Sequence, residues 1–221
     1  MAETSLARIV QYLIEEEPWI QDALLRGYAN ISAVARLLKP KIEEILGREV
    51  NLSGVITSIK RVRAKYKPSR EQLRIISRST IIIRTNLAKI SIEKTKRNLE
   101  IARSLSAETP EAFFQVLEGA TTLTLIMDQR MLGTVKSKIE GAEVIDEKSD
   151  LAAIIIQSPR KIVDTPGCIA IFYNAIARRE INIEETISCC TETIIVLKMI
   201  DSVKAYGILA DLMAGTGKDL A

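Results

Sequence analysis

The chain has 221 residues, 47% of them hydrophobic, and a formal net charge of +3. That composition supplies a sizeable core and excludes a disordered polymer, and the length suits one large domain or two to three small ones. There is no histidine, which removes the usual general base and the commonest metal ligand, and three cysteines form neither a zinc pattern nor a disulfide framework.

Residues 1–69 read as an all-α domain. Glu3 arrives before any apolar run, so no signal peptide is expected. No segment approaches the roughly 18–20 apolar residues of a membrane span, and a reduced cytoplasmic location is expected. Ser5 caps a helix with Leu6, Ile9, Val10, Leu13 and Ile14 on one face, stopped at Pro18. A short helix over 19–25 ends at Gly27, and Asn30 caps another bearing Ile31, Val34, Ala35, Leu37 and Leu38. Pro40 is expected to begin a new turn rather than sit inside a continuous helix. Ile42, Ile45 and Leu46 follow, with Gly47 as a C-terminal stop. Asn51 caps a final helix with Leu52, Val55, Ile56, Ile59, Val62 and Tyr66 at helical spacing, and Pro68-Ser69 marks its end.

From about residue 70 the pattern changes. Residues 79–84 are β-branched and strand-like, and a helix is expected at 92–105. Residues 112–117 and 121–127, around Glu118-Gly119-Ala120, read as a hairpin. A helix at 129–139 and a short strand at 142–145 complete βαββαβ. The order restarts at Leu151: strand 151–157, helix 168–179, strands 182–190 and 193–199, helix 201–213, with no chain left for a final strand. The expected class is α+β: a helical, helix-turn-helix-like domain (1–69), then βαββα(β) repeats at 70–150 and 151–214, then a flexible tail at 215–221. The repeat is read in element order rather than residue identity. Gly215-Thr216-Gly217-Lys218 is no phosphate loop: the required first glycine falls at Leu212, and no Ser or Thr follows Lys218.

The most informative stretch is Asp164-Thr165-Pro166-Gly167, a turn between a strand and a helix. Such a turn brings backbone N–H groups to a helix start, where an anion is favoured. The second repeat resembles an ACT domain of the aspartokinase type. The resemblance rests on this turn, on Ile169-Ala170-Ile171-Phe172-Tyr173-Asn174-Ala175-Ile176-Ala177 and on Ile181-Asn182-Ile183. It continues through Ile187-Ser188-Cys189-Cys190 and Glu192-Thr193-Ile194-Ile195-Val196-Leu197 into Val203-Lys204-Ala205-Tyr206, covering 151–213.

The resemblance implies ferredoxin-like domains that pair side by side, as a homodimer or larger, and bind amino acids at the joint without a cofactor. It maps a ligand loop onto Asp164, Thr165, Pro166, Gly167, Cys168 and Ile169, and a ligand-facing strand onto Glu185, Ser188 and Cys189. Gly167 and Cys168 N–H groups would hold a carboxylate, Asp164 or Glu185 an ammonium, and Ser188 a side chain. Two other readings stay open: Asp164 as a plain helix cap, and the whole domain as an assembly module with no ligand. The three cysteines read as small, partly buried residues. The first repeat, with Thr85-Asn86-Leu87-Ala88-Lys89 after its strand, lacks the Pro-Gly turn and reads as a pairing partner.

Lys60, Arg61, Arg63, Lys65, Lys67, Arg70, Arg74 and Arg78 face the single acid Glu71 within 51–78, leaving the remainder net acidic. That asymmetry points to an anionic partner for one region. Ser53, Gly54, Thr57, Ser58, Lys60, Arg61, Ala64 and Lys65 lie opposite the apolar stripe of helix 51–67. The set Ser53, Thr57, Ser58, Lys60, Arg61 and Lys65 suits duplex DNA, small polar groups for bases and cations for phosphates; a solvated helix face is the plainer reading. No aromatic platform for single-stranded RNA is present. An amino-acid-responsive transcription regulator is therefore the leading expectation, and a regulatory subunit docking on a biosynthetic enzyme the alternative. Catalysis is not expected. A chorismate-mutase-like arrangement using Arg8, Arg26, Arg36 and Lys39 needs a long first helix, which Pro18 and Gly27 interrupt.

Overall fold

The computed structural model describes residues 5–25, 27–65 and 70–218, and divides into two units at Ser69/Arg70. The first unit holds four helices: α1 (Leu6–Glu15), α2 (Pro18–Leu25), α3 (Ile31–Leu46) and α4 (Leu52–Lys65). Ser5 accepts the Arg8 N–H, and Asn30 accepts those of Ser32 and Ala33, which supplies acceptors to otherwise orphan first-turn donors. Ile9, Val10, Leu13 and Ile14 of α1 pack with Ala35, Leu38 and Ile42 of α3 and Val55, Ile59 and Val62 of α4.

Pro40 does not break α3, contrary to expectation. It lies on the exposed side of one continuous helix, while Leu38 and Ile42 on either side of it are buried and Lys39 bridges Glu43 (2.6 Å). Packing of the buried face outweighs the one backbone bond that proline removes. Gly47 then ends α3 in the left-handed region, and the Val50 N–H donates to Glu43 Oε1 (2.9 Å), fastening the turn before α4.

The second unit begins with α5 (Arg70–Ser77), a helix that the sequence reading left out, and continues through β1 (Thr80–Glu93), α6 (Lys96–Glu108), β2 (Phe114–Glu118), β3 (Thr122–Asp128) and α7 (Leu132–Lys138). Then come β4 (Val144–Gln157), α8 (Cys168–Ala177), β5 (Glu185–Cys189), β6 (Glu192–Lys198) and α9 (Ser202–Lys218). One antiparallel sheet of order β2-β3-β1-β4-β6-β5 joins them. The tail expected at 215–221 is helical as far as Lys218, the end of the described residues, because α9 continues past Ala205, Leu209 and Met213, its buried face.

The sheet overturns the expected division at 150/151, which falls inside β4. β1 and β4 are each 14 residues long and pair with one another from Thr80↔Gln157 to Ile92↔Val144. Only residues 87–93 of β1 also pair with β3, and only residues 151–157 of β4 also pair with β6. Each long strand therefore serves both repeats. The second repeat does not lack a final strand: residues 80–84, ahead of the first repeat in sequence, supply it.

The exchange is centred on two kinks. Asn86 (φ 55) and Asp150 (φ 54) are left-handed, and the β1–β4 register shifts beside them. Asn and Asp tolerate that conformation better than other residues with a Cβ. The kinks lie in matching pentapeptides, Arg84-Thr85-Asn86-Leu87-Ala88 and Lys148-Ser149-Asp150-Leu151-Ala152. Leucine and alanine are identical in the two, and the other three positions pair Arg with Lys, Thr with Ser and Asn with Asp. Beside each kink a cleft opens where the neighbouring strand ends. Arg84, Thr85, Asn86, Asp128, Gln129 and Arg130 line one of about 330 Å³, and Lys148, Asp150, Leu151, Lys198, Met199 and Ile200 line part of one of about 560 Å³.

One sheet face carries the helices over two cores. Ile90, Ile92, Leu123, Leu125 and Met127 meet α6 and α7, and Ile154, Ile156, Ile195 and Leu197 meet α5, α8 and α9. The opposite face buries Leu87, Ile126, Leu151, Ala153, Ile194 and Val196 with no helical residue among them, in a half-barrel-like sheet. On that face Lys89, with a side chain only 6% exposed, reaches Glu185 Oε1 (3.0 Å) and Asp146 Oδ2 (3.2 Å). Burial works to lower its pKa, but hydrogen bonds to Glu185 and Asp146 prevail and hold it raised. Lys89→Ala should lower stability by about 2 kcal/mol, less than for a fully buried pair because Asp146 is partly exposed. With a raised pKa, Lys89 contributes at all pH values below the ordinary lysine range and loses its contribution as pH climbs through the raised value. Urea unfolding at pH 7 and pH 11 should show the difference between wild type and Lys89→Met shrinking at the higher pH.

Candidate functional site

After β4 the chain enters a 3-10 turn, Arg160–Asp164, pinned by buried Ile162. The Thr165 hydroxyl donates to the Lys161 carbonyl (2.8 Å) and the Thr165 N–H to that of Ile162 (3.3 Å). Pro166 follows, and Gly167 (φ 84, ψ −8) is the cap of α8, a conformation that glycine adopts without steric cost. No side chain caps α8. Asp164 is exposed in the 3-10 turn three residues earlier and is not the helix cap. The first N–H groups of a helix have no intrahelical acceptor, so the positive end of α8 points into the turn.

Helix α5 closes over this turn. Gln72 Nε2 donates to the Pro166 carbonyl (2.6 Å), and a Cβ on Gly167 would stand 2.9 Å from that same nitrogen. Glu71 bridges Lys161 (3.0 Å). Cys168, the first residue of α8, is buried; desolvation and then the Glu71 charge push its thiol pKa up. At the other end of α5, the Ser79 hydroxyl bonds the Ile75 carbonyl (2.8 Å) and the hydroxyl of Ser158 (2.9 Å), the first residue after β4.

The expected ligand-facing strand is split by strand alternation. Glu185 stands opposite Val196 and Cys189 opposite Glu192, whereas Ser188 stands opposite Thr193. Val196 belongs to the helix-free face, so Glu185 and Cys189 point there, and Glu185 is engaged by Lys89. Ser188 points to the helix face with its i−2 neighbour Thr186, whose hydroxyl bonds the Tyr173 hydroxyl of α8. Of the nine residues expected to bind ligand, the turn residues Asp164 to Ile169 are contiguous and only Ser188 shares their side of the sheet. Cys189 and Cys190 are exposed rather than partly buried, and Cys190 (φ 53) takes a left-handed conformation in the β5–β6 connection. The residues the sequence reading missed are Glu71 and Gln72. Their signal was Pro68-Ser69 two residues before Glu71, a helix-start pattern as much as a helix end.

In the helical unit, Ser53, Thr57, Lys60 and Arg61 lie on one exposed arc of α4. Ser58 does not: it is buried, and Gly54 one turn earlier faces Leu6 of α1. Packing against both α1 and α3 leaves α4 a narrower free surface than its sequence suggests. The Lys65 side chain lies outside the described residues.

No protein-family profile and no curated protein matches the sequence. Solved structures do match. The regulatory subunit of aspartate kinase from Thermus thermophilus, ligand-free, aligns at TM-score 0.51 and 15% identity over 60% of this chain and 95% of that one. The aspartokinase alpha and beta subunits give 0.51 at 13% over 61% and 97%. Aspartate kinase from Synechocystis gives 0.51 at 17% over 61% of this chain and 26% of that one. At these identities the likeness is one of fold. The α+β unit has the ACT-type fold of these aspartate kinase structures.

The Gly167 geometry has a direct test. Gly167→Ala should cost about 1–2 kcal/mol, from a positive φ on a residue with a Cβ and from the contact with Gln72. Removing the contact with Gln72→Ala should recover part of that loss, so chemical denaturation of the double variant should show less than the summed cost.

Proposed function

We propose that this protein is a non-catalytic, ligand-responsive regulator whose α+β unit takes a small amino-acid-like molecule at the Asp164–Ile169 turn, with residues 1–69 as the output. The observation that carries the reading is the fold: a sheet and helix arrangement found in aspartate kinase regulatory subunits, here accompanied by a helical unit. The turn supports it, with a left-handed glycine at the positive end of a ten-residue helix. The ligand's carboxylate is assigned to the first N–H groups of α8, and Ser188 is the strand residue on the matching face. Glu185 and Cys189 drop out of the site. Pairing of ACT-type domains between copies is part of the same reading. A coupling of only about 1–3 kcal/mol between ligand and output suffices for such a device.

Thermal shift with each of the twenty standard amino acids should reveal at least one that stabilises the wild type, with the shift lost in Gly167→Ala. A flat response across all twenty would remove the sensor reading and leave an assembly module.

For the output, the exposed arc Ser53, Thr57, Lys60 and Arg61 supports duplex DNA, with Ser53 and Thr57 toward bases and the cations toward phosphates. The alternative, docking on an enzyme, is supported by exposed apolar groups on the same unit: Trp19 (73%), Tyr28 (83%) and Leu37 (66%). Fluorescence anisotropy with a mixed-sequence duplex separates the two. Under the DNA reading, binding weakens with salt at a log–log slope of roughly −0.9 per phosphate contact, and Lys60→Glu with Arg61→Glu abolishes it. Unchanged, salt-sensitive binding by that double variant would exclude α4 as the reader.

A further inference from the structure

We infer that α5 is a displaceable strap carrying a built-in substitute for the ligand: its Glu71 carboxylate and Gln72 carboxamide close the Asp164–Ile169 turn, and ligand entry there releases the N-terminal end of α5. The inference rests on the ligand reading of that turn.

Gln72 lies directly against the turn. Its amide nitrogen donates to the Pro166 carbonyl at 2.6 Å, and a methyl group on Gly167 would stand 2.9 Å from it, so the Gln72 side chain would have to move aside. Glu71 supplies the negative charge, held by Lys161 at 3.0 Å and felt by Cys168 at the start of α8. A carboxylate and an N–H donor side by side are also what an amino acid brings, as its carboxylate and ammonium, and on this reading a ligand at the turn competes with Glu71 and Gln72 for it.

The two ends of α5 are held differently. Ile75, Ile76 and the buried Ser79–Ser158 hydroxyl pair anchor its C-terminal end in the core. Glu71 and Gln72, in the first turn, hold the other end through polar contacts of the turn. The released end is the one that joins residues 66–69, so an event at the turn acts on the chain leading back to the helical unit. Among the described residues no helix closes in this way over the first repeat's own strand-to-helix turn, where Thr95 caps α6 by accepting the Asn98 N–H.

The test uses the full chain and the twenty standard amino acids as probes. Whichever one stabilises the wild type should bind Gln72→Ala more tightly by roughly three- to tenfold, the equilibrium worth of one hydrogen bond removed from the competing state. In the wild type, that amino acid should speed hydrogen exchange in peptides covering residues 70–77. Equal affinity for both proteins, or exchange in 70–77 that stays constant or slows, overturns the strap while leaving the ligand site standing. No binding to either protein overturns the site and the strap together. Hydrogen exchange is read on the wild type, so the result does not depend on how well the variant folds.

Discussion

Everything in the α+β unit depends on the pairing of β1 with β4. Two 14-residue strands lie antiparallel over their whole length, yet each gains its second neighbour along only one half. The change of neighbour needs a local departure from the ladder, and Asn86 and Asp150 provide it at the two residue types that accept a left-handed backbone most readily. From that crossing follow the positions of the helices. Because residues 80–84 belong to the second repeat, the helix that precedes them, α5, falls onto that repeat and over its turn.

The two halves keep the crossing and diverge around it. Arg84, Thr85 and Asn86 correspond to Lys148, Ser149 and Asp150, so cation, hydroxyl and left-handed polar residue are retained. Across each cleft the chemistry separates. Asp128, held by Arg84 (3.1 Å), corresponds to Lys198, and Gln129 and Arg130 correspond to Met199 and Ile200. Gln129 uses its polar side chain to clasp Asp150, accepting its N–H at 2.9 Å, a bond that methionine at the matching position cannot make. One half has a polar notch and the other an apolar one, on the same backbone plan. The divergence extends to the strand-to-helix turns, where only the second half has Pro166-Gly167 and a helix closed over it.

What depends on local chemistry is legible in the sequence. Ser5, Asn30 and Gly47 take the capping and stopping roles that their side chains and backbone freedom dictate, and the hairpin about Gly119 is near its expected position. What is not legible shares a cause: tertiary partners decide it. Residues 79–84 read as a short strand followed by a helix from 92, and only the pairing with β4 shows that the strand runs on to Glu93. Pro40 looks like a terminator, but buried neighbours on both sides carry the helix through. Gly54 and Ser58 lie opposite the apolar stripe on a helical wheel, yet Gly54 meets Leu6 of α1 and Ser58 is buried. The turn at Asp164–Gly167 was legible as the start of a helix; that α5 closes it was not, since Gln72 and Pro166 are 94 residues apart in sequence.

The crossing also fixes the order in which the molecule can be completed. Residues 87–148 contain every strand of the first repeat, so that half can form as soon as they are made. The second half cannot, because Thr80 must wait for Gln157 and α5 must wait for α9. Closing contacts of such long separation carries a loop entropy that only late burial offsets, and they are the slow ones. During synthesis, residues 70–84 therefore stand with their apolar side chains uncovered while a whole repeat is added behind them. The Pro166–Gly167 turn belongs to the half whose sheet joins the two sequence-distant ends of β1 and β4.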